Sequence, residues 1–154
     1  YREHNRLSEA EPLYQEAFAI YKAALPAGHP DIATSLNNLA SLYYAQNRLE
    51  EAEPLYEEAL TISKAALPAG HPDIANSLIN LAVLNYQQGC YAEAEKNILE
   101  FLELMLLSRK LDQETLKRYS EFLAIVYQAM GVDNPIEHVH EVMDSLIENV
   151  GSNR

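Results

Sequence analysis

The chain has 154 residues, enough for one domain with a sizeable core, and its 48% hydrophobic and 22% charged residues are the balance of an ordinary globular protein. A formal charge of −12, from 11 basic and 23 acidic residues, argues against nucleic acid and anionic membrane surfaces as partners, since both demand clustered Lys and Arg. The single Cys90 excludes an internal disulfide framework and fits a reducing, cytoplasmic setting, while no apolar run spans a bilayer and no secretory signal opens the chain.

Seven helices are predicted, over about 8–24, 30–46, 50–66, 72–88, 92–108, 112–130 and 135–150. They come from a repeat. Residues 7–48 laid over 49–90 agree at 30 of 42 positions, and the register returns in degraded form, with Leu39-Ala40, Leu81-Ala82 and Leu123-Ala124 each 42 apart. The first helix carries Leu13, Tyr14, Ala17, Ile20 and Tyr21 on one side and breaks at Leu25-Pro26-Ala27-Gly28. Pro30 opens the second at a position where a missing N–H costs nothing, and Asp31 favours the N-terminal end of the dipole. Ile32, Leu36, Leu39, Ala40 and Tyr43 then form one apolar stripe, which ends at Asn47. The third helix carries Ala52, Leu55, Tyr56, Ala59 and Ile62, and Pro72 and Gly89 bracket the fourth as Pro30 and Asn47 bracket the second. In the fifth, eight of the ten residues 98–107 are apolar, so the last two helices must cover that stretch or it meets another chain. The sixth ends at Gly131. Asn134, Pro135 and Glu137 have the spacing of a capping box for the seventh, where Ile136, Val139, Met143, Leu146, Ile147 and Val150 face one way and Glu137, Glu141, Asp144 and Glu148 another.

A hairpin of this kind cannot bury its stripe alone, so neighbours stack into an all-α superhelix, a solenoid of antiparallel hairpins. The expected units are a partial repeat over 1–29, repeats over 30–71 and 72–111, and a degenerate repeat with a C-terminal capping helix over 112–150. Tyr1 to Leu7 match Tyr43 to Leu49 in register, so the chain is expected to start inside a unit, as an excerpt of a longer array. The stripe of the first helix is then covered on one side only, and that end should fray or recruit another copy.

The order Leu36-x-x-Leu39-Ala40-x-x-Tyr43 followed by Ala52, Tyr56 and Ala59 resembles the tetratricopeptide repeat. The 42-residue period, with Gly-His-Pro-Asp-Ile-Ala from Gly28 and Glu-Ala-Glu-Pro-Leu-Tyr from Glu9, is similar to the longer repeats of kinesin light chains and many bacterial proteins. The resemblance is strong over 1–91 and loose from 92 to 150. It implies a right-handed superhelix, a protein-interaction scaffold rather than an enzyme, and a concave face lined by the first helix of each hairpin. Nothing resembles the heptad region by which kinesin light chains join the motor.

Residues opposite the buried stripe are Thr34, Asn37, Asn38, Ser41, Tyr44 and Ala45, then Asn76, Ile79, Asn80, Val83, Tyr86 and Gln87, then Arg118, Glu121, Phe122, Ile125, Gln128 and Ala129. Of these, Asn37, Asn38, Ser41, Tyr44, Asn76, Ile79, Asn80, Val83, Tyr86 and Arg118 are the expected partner-binding residues. Asparagine is a mediocre helix former, so Asn38 and Asn80 at one register position call for a reason. Their amides either grip the backbone of an extended peptide, as the resemblance implies, or hydrogen-bond a neighbouring helix. Ile79, Val83, Phe122 and Ile125 make an apolar strip that either receives a ligand side chain or packs between inner helices. The carboxylate clamp that some relatives use for chaperone C-termini is poorly served: its lysine positions hold Asn37 and Arg118, and its arginine position holds Phe122. Arg2, Lys117 and Arg118 are the only charge for a basic groove, which disfavours an acidic peptide.

No catalytic constellation, cofactor motif or metal site is read. His138 and His140, two apart, point to different sides of a helix, and Cys90 has no histidine close in sequence. Two rivals to the scaffold role are self-association through 98–107 or the open first helix, and service as a regulatory module of a larger enzyme or signalling protein.

Overall fold

The computed structural model describes residues 2–152, with side chains from Arg6 onward. Its helices are α1 (Arg2–Ala24), α2 (Pro30–Ala45), α3 (Leu49–Ala66), α4 (Pro72–Gln87), α5 (Tyr91–Leu107), α6 (Gln113–Ala129) and α7 (Pro135–Ser152). No strand occurs among the described residues. Consecutive helices pack as antiparallel neighbours, and α2 also meets α4 while α5 meets α7, which stacks the hairpins into an all-α superhelix.

From residue 30 onward the helices begin and end within two residues of the expected bounds. The exception is α1, which opens at Arg2 rather than near residue 8 and runs through Pro12. One register later Asn47 turns the chain at φ 60°, whereas Asn5 stays helical. The turn at Asn47 lies between two helices that pack on each other.

The stops share one chemistry. Asn47, Gly89 and Gly131 all have positive φ, at 60°, 78° and 77°. After each, a backbone N–H reaches back five residues: Arg48 to Tyr43 at 2.9 Å, Cys90 to Asn85 at 2.8 Å and Val132 to Tyr127 at 2.9 Å. These are Schellman closures, which satisfy carbonyls the helix end would leave bare. The starts hold a surprise. His29 and His71 are N-caps, each Nδ1 accepting the N–H of Asp31 or Asp73 at 3.2 Å. Asp112 caps α6, its Oδ1 accepting from the Thr115 N–H at 2.6 Å. Asn134, by contrast, has φ 52°, not the extended backbone of a capping residue, so the expected capping box does not open α7.

The core runs between the two rows of helices. Ala40, Ala52, Ala59, Ala82 and Ala94 are fully buried and let backbones approach, while Leu36, Leu78, Leu102, Leu123 and Tyr127 fill the space. The apolar stretch 98–107 is covered, with Ile98, Phe101, Leu102 and Met105 inside the cluster that joins α4 to α7. Only Leu107 of that stretch is an exposed large residue, which leaves little for another chain to grasp. In α7, Val139, Met143 and Val150 are buried, but Ile136 and Ile147 are exposed, lining an open cleft between α6 and α7.

A carboxylate on each second helix ties it to the end of the next first helix. Glu11 accepts from Arg48 Nη1 at 2.8 and 2.9 Å, and Arg48 also grips Glu51 through Nε and Nη2, both at 2.7 Å. Its guanidinium lies 4.1 Å over the Tyr43 ring. One register on, Cys90 stands in place of Arg48, and Glu53 accepts instead from Asn85 at 3.3 Å and Gln88 at 3.2 Å. One further, Glu95 accepts from the Tyr127 hydroxyl at 2.6 Å. Burial, then this bond, pushes the Tyr127 phenol up.

Hydrogen bonds from Arg48 hold the Glu11 and Glu51 carboxyls below their ordinary range, and the Thr115 backbone N–H does the same for Asp112. Carboxyls depressed in the folded state stabilise it above their unfolded value of about 4, and that contribution is lost as pH falls through the folded values. The urea midpoint is therefore expected to be lower at about pH 3 than at pH 7, with a smaller difference in Arg48→Gln. A pH dependence unchanged by that substitution would place the acid sensitivity elsewhere.

Candidate peptide-binding face

Helices α2, α4 and α6 present the residues opposite their buried stripes side by side. On α2, Thr34, Asn38, Ser41 and Ala45 are exposed, with Asn37 and Tyr44 half-buried. On α4, Asn76 and Gln87 are exposed, and Ile79, Asn80, Val83 and Tyr86 are half-buried. On α6, Arg118, Glu121, Ile125, Gln128 and Ala129 are exposed and Phe122 is half-buried. The helical period thus puts the expected residues on one continuous side.

The structure divides these residues into two groups. Asn37 is spent internally, its Nδ2 donating to Ser77 Oγ at 2.9 Å. Ser41 Oγ lies 2.8 Å from the Tyr56 hydroxyl of α3, and Gln87 Nε2 donates to the Tyr44 hydroxyl at 2.5 Å. Those contacts join α2 to α3 and to α4. Asn38 and Asn80 differ: among the described residues no hydrogen bond engages either side chain. Of the two roles weighed for them, bonding to a neighbouring helix is the one without a contact here.

The apolar strip is likewise mixed. Phe122 meets Tyr86 edge-on at 5.9 Å, and Tyr86 in turn packs on Tyr91 at 5.6 Å, so both brace α4 against α5 and α6. Ile79 is half-buried against the same cluster, and Val83 is half-buried on α4. Ile125 stands exposed. Charge is sparse: Arg118 pairs with Glu114 at 3.4 Å on an exposed turn, and Arg2 lies outside the described side chains. An open cleft of about 660 Å³ between α6 and α7, lined by Leu116, Ala124, Val139 and Met143 among others, does not include the asparagines.

The pairing of Asn37 with Ser77 and of Gln87 with Tyr44 is not legible in the repeat. Position 37 becomes Ile79 and position 45 becomes Gln87 one register later, so each bond exists once and no recurrence flags it. The two histidines near the C-terminus diverge. His138 packs edge-on against Tyr127 at 4.6 Å with its Nδ1 3.6 Å from Glu141, and His140 lines the α6–α7 cleft.

A stack of helical hairpins with its first helices side by side defines the class: an α-solenoid repeat protein. Residues 1–65 match the tetratricopeptide repeat family. Over 100% of its length the chain superposes on a candidate kinesin light chain from Podosopora anserina with nearly identical TPR-like repeats, covering 72% of that protein, at 24% identity and a TM-score of 0.76. BtubC (BKLC) from P. vanneervenii aligns with 99% of the chain at 22% identity and a TM-score of 0.77, and the chain spans 59% of it. No curated protein matches the sequence. Residues 1–65 thus match the tetratricopeptide repeat, and the whole chain has the fold of these repeat solenoids.

Proposed function

We propose that the chain is a protein-interaction scaffold that binds an extended, largely uncharged peptide along α2, α4 and α6. Curvature in stacked-hairpin arrays creates an extended concave surface of the kind that accommodates such ligands. The observation that carries the reading is the pair Asn38, exposed, and Asn80, half-buried, amides with no hydrogen-bond partner among the described residues, 42 residues apart on adjacent first helices. Each amide offers donors and an acceptor, the complement of a peptide's own N–H and C=O. Ile79 and Val83 flank Asn80 on α4, and Ile125 stands exposed on α6, as contacts for apolar side chains. With Arg118 already paired to Glu114, the face has no concentrated positive charge to favour an acidic ligand.

Peptides selected from a random library displayed on phage supply the ligand for the test. Asn38→Ala with Asn80→Ala is expected to weaken the selected peptides by about 1–3 kcal/mol, the range for lost buried hydrogen bonds, and to leave the melting curve in place. Unchanged affinity together with lowered stability would make the asparagines structural and remove the main support for this reading.

A further inference from the structure

The acceptors that hold Arg48 are repeated one register on, but the arginine is not. In the first register the Gln46 amide donates from Nε2 to Glu11 at 3.3 Å and accepts from Arg48 Nη1 through Oε1 at 2.8 Å. Glu51 takes the other edge of the same guanidinium. The counterparts 42 residues on are Glu53, Gln88 and Glu93, and Cys90 stands where the arginine would be. Gln88 keeps the orientation of Gln46: its Nε2 donates to Glu53 at 3.2 Å, since only the amide N–H can face a carboxylate. Its Oε1 is then buried with no hydrogen-bond partner among the described residues, a costly state for an acceptor. Glu93 is exposed and, among the described residues, bonded to no cation. In the third register the acceptors change along with the donor. Val132 stands for the arginine and Met130 for the glutamine, and Tyr127 satisfies Glu95.

We propose that Glu53, Gln88 and Glu93, beside Cys90 at the turn from α4 to α5, receive the guanidinium of an arginine side chain carried by a partner protein. Gln88 Oε1 and the two carboxylates accept the N–H groups that Gln46, Glu11 and Glu51 accept from Arg48. Cysteine in place of arginine leaves room for the ligand: an open cleft of about 530 Å³ lies there, lined by Asn47, Leu49, Glu50, Glu53, Gln88 and Cys90. A guanidinium suits the site better than an ammonium, because its planar fork bonds several acceptors in a fixed geometry. Neighbouring cations are engaged elsewhere, Arg48 with Glu11 and Glu51, and Lys64 with Glu100. Lys96, a turn along α5, makes no ion pair with Glu93 among the described residues. Free arginine is the poorer ligand, since its own carboxylate would meet Glu50 and Glu53. One difference lowers the affinity: Asn85 stands for Tyr43, so no ring lies under the guanidinium. Neither Asn38 nor Asn80 lines this cleft, and the site stands whether or not they bind a peptide.

The probe is a tripeptide with blocked ends, acetyl-glycyl-arginyl-glycinamide, titrated into the isotope-labelled whole chain and followed by NMR. Saturable shifts are expected at the side-chain amide of Gln88. The same tripeptide with lysine in place of arginine, and free arginine, should each bind several-fold more weakly. Glu93→Gln, at an exposed residue, should weaken the arginine tripeptide several-fold and leave the circular dichroism unchanged. Cys90→Arg should supply the guanidinium from within the chain, which abolishes the shifts caused by the tripeptide and raises the urea midpoint. The proposal is overturned if no saturable shift appears at Gln88, or if binding is indifferent to Glu93→Gln and Cys90→Arg. Equal binding of the lysine tripeptide would reduce the site to diffuse negative charge and overturn it too. Free arginine binding as tightly as the tripeptide would make the ligand a small molecule and overturn the partner protein as its source.

Discussion

Replacing Leu78 by alanine is expected to lower the unfolding free energy by about 3–5 kcal/mol, the upper part of the range for a buried leucine that leaves a cavity. Leu78 is fully buried in the cluster that holds Ile74, Ala82, Ile98, Leu102, Leu123 and Met143, so its side chain lies where α4 to α7 converge. In a domain whose whole stability is on the order of 5–15 kcal/mol, that is a large fraction. Leu36, one register earlier, is equally buried but sits in a smaller cluster with Ile32, Ala33 and Ala59. The walls of that cluster include Phe18, Leu25 and Ile62, all only half-buried and free to move inward. Partial collapse reduces the cavity, so Leu36→Ala should cost about 2–3 kcal/mol. Urea denaturation of the two variants measures the difference. A loss at Leu36 as large as at Leu78 would mean that the α1 side of the array is as rigid as its centre.

The second large effect concerns two glycines that the repeat makes look alike. Gly28 and Gly70 have φ of 86° and 79°, where a side chain costs about 1–2 kcal/mol whatever the space. A methyl group at Gly28 would meet nothing, but at Gly70 it would collide with the side chain of Ser108 at the end of α5. Ser108 cannot easily yield, since its hydroxyl donates to the Leu104 carbonyl at 2.7 Å, and Lys110 Nζ donates to the Gly70 carbonyl at 2.9 Å. Gly70→Ala is therefore expected to cost about 2–4 kcal/mol and Gly28→Ala about 1–2 kcal/mol. Adding Ser108→Gly to Gly70→Ala should recover most of the gap, because it removes the atoms in collision. Equal losses at the two glycines would show that the loop, not its packing on α5, sets the cost.

Much of this protein is legible in one copy of the repeat. Pro30 and Pro72 start helices, while Asn47, Gly89 and Gly131 stop them through a local backbone conformation and a short-range hydrogen bond. The stripe from Ile32 to Tyr43 is a matter of period, and all its members are buried. Each of these depends on residues a turn or two apart, which is the distance over which a sequence pattern carries physical information. The start of α1 is not of this kind: Asn5 and Asn47 share one register position and the Arg-Leu that follows, yet one stays in a helix and the other ends one.

The candidate site divides the same way. Periodicity puts Asn37 and Asn38 on the face opposite the stripe, but two adjacent amides of one chemistry cannot be told apart by pattern. The placement of α4 beside α2 decides that Asn37 reaches Ser77, 40 residues on, while no described residue bonds the Asn38 amide. The same holds for Ile136 and Ile147, which share a stripe with Val139 and Met143 yet remain exposed. By itself the sequence determined the helices, their stops and which residues share a side. Which neighbour covers each side was decided by contacts between helices tens of residues apart, because burial belongs to a pair of surfaces and a stripe describes only one of them.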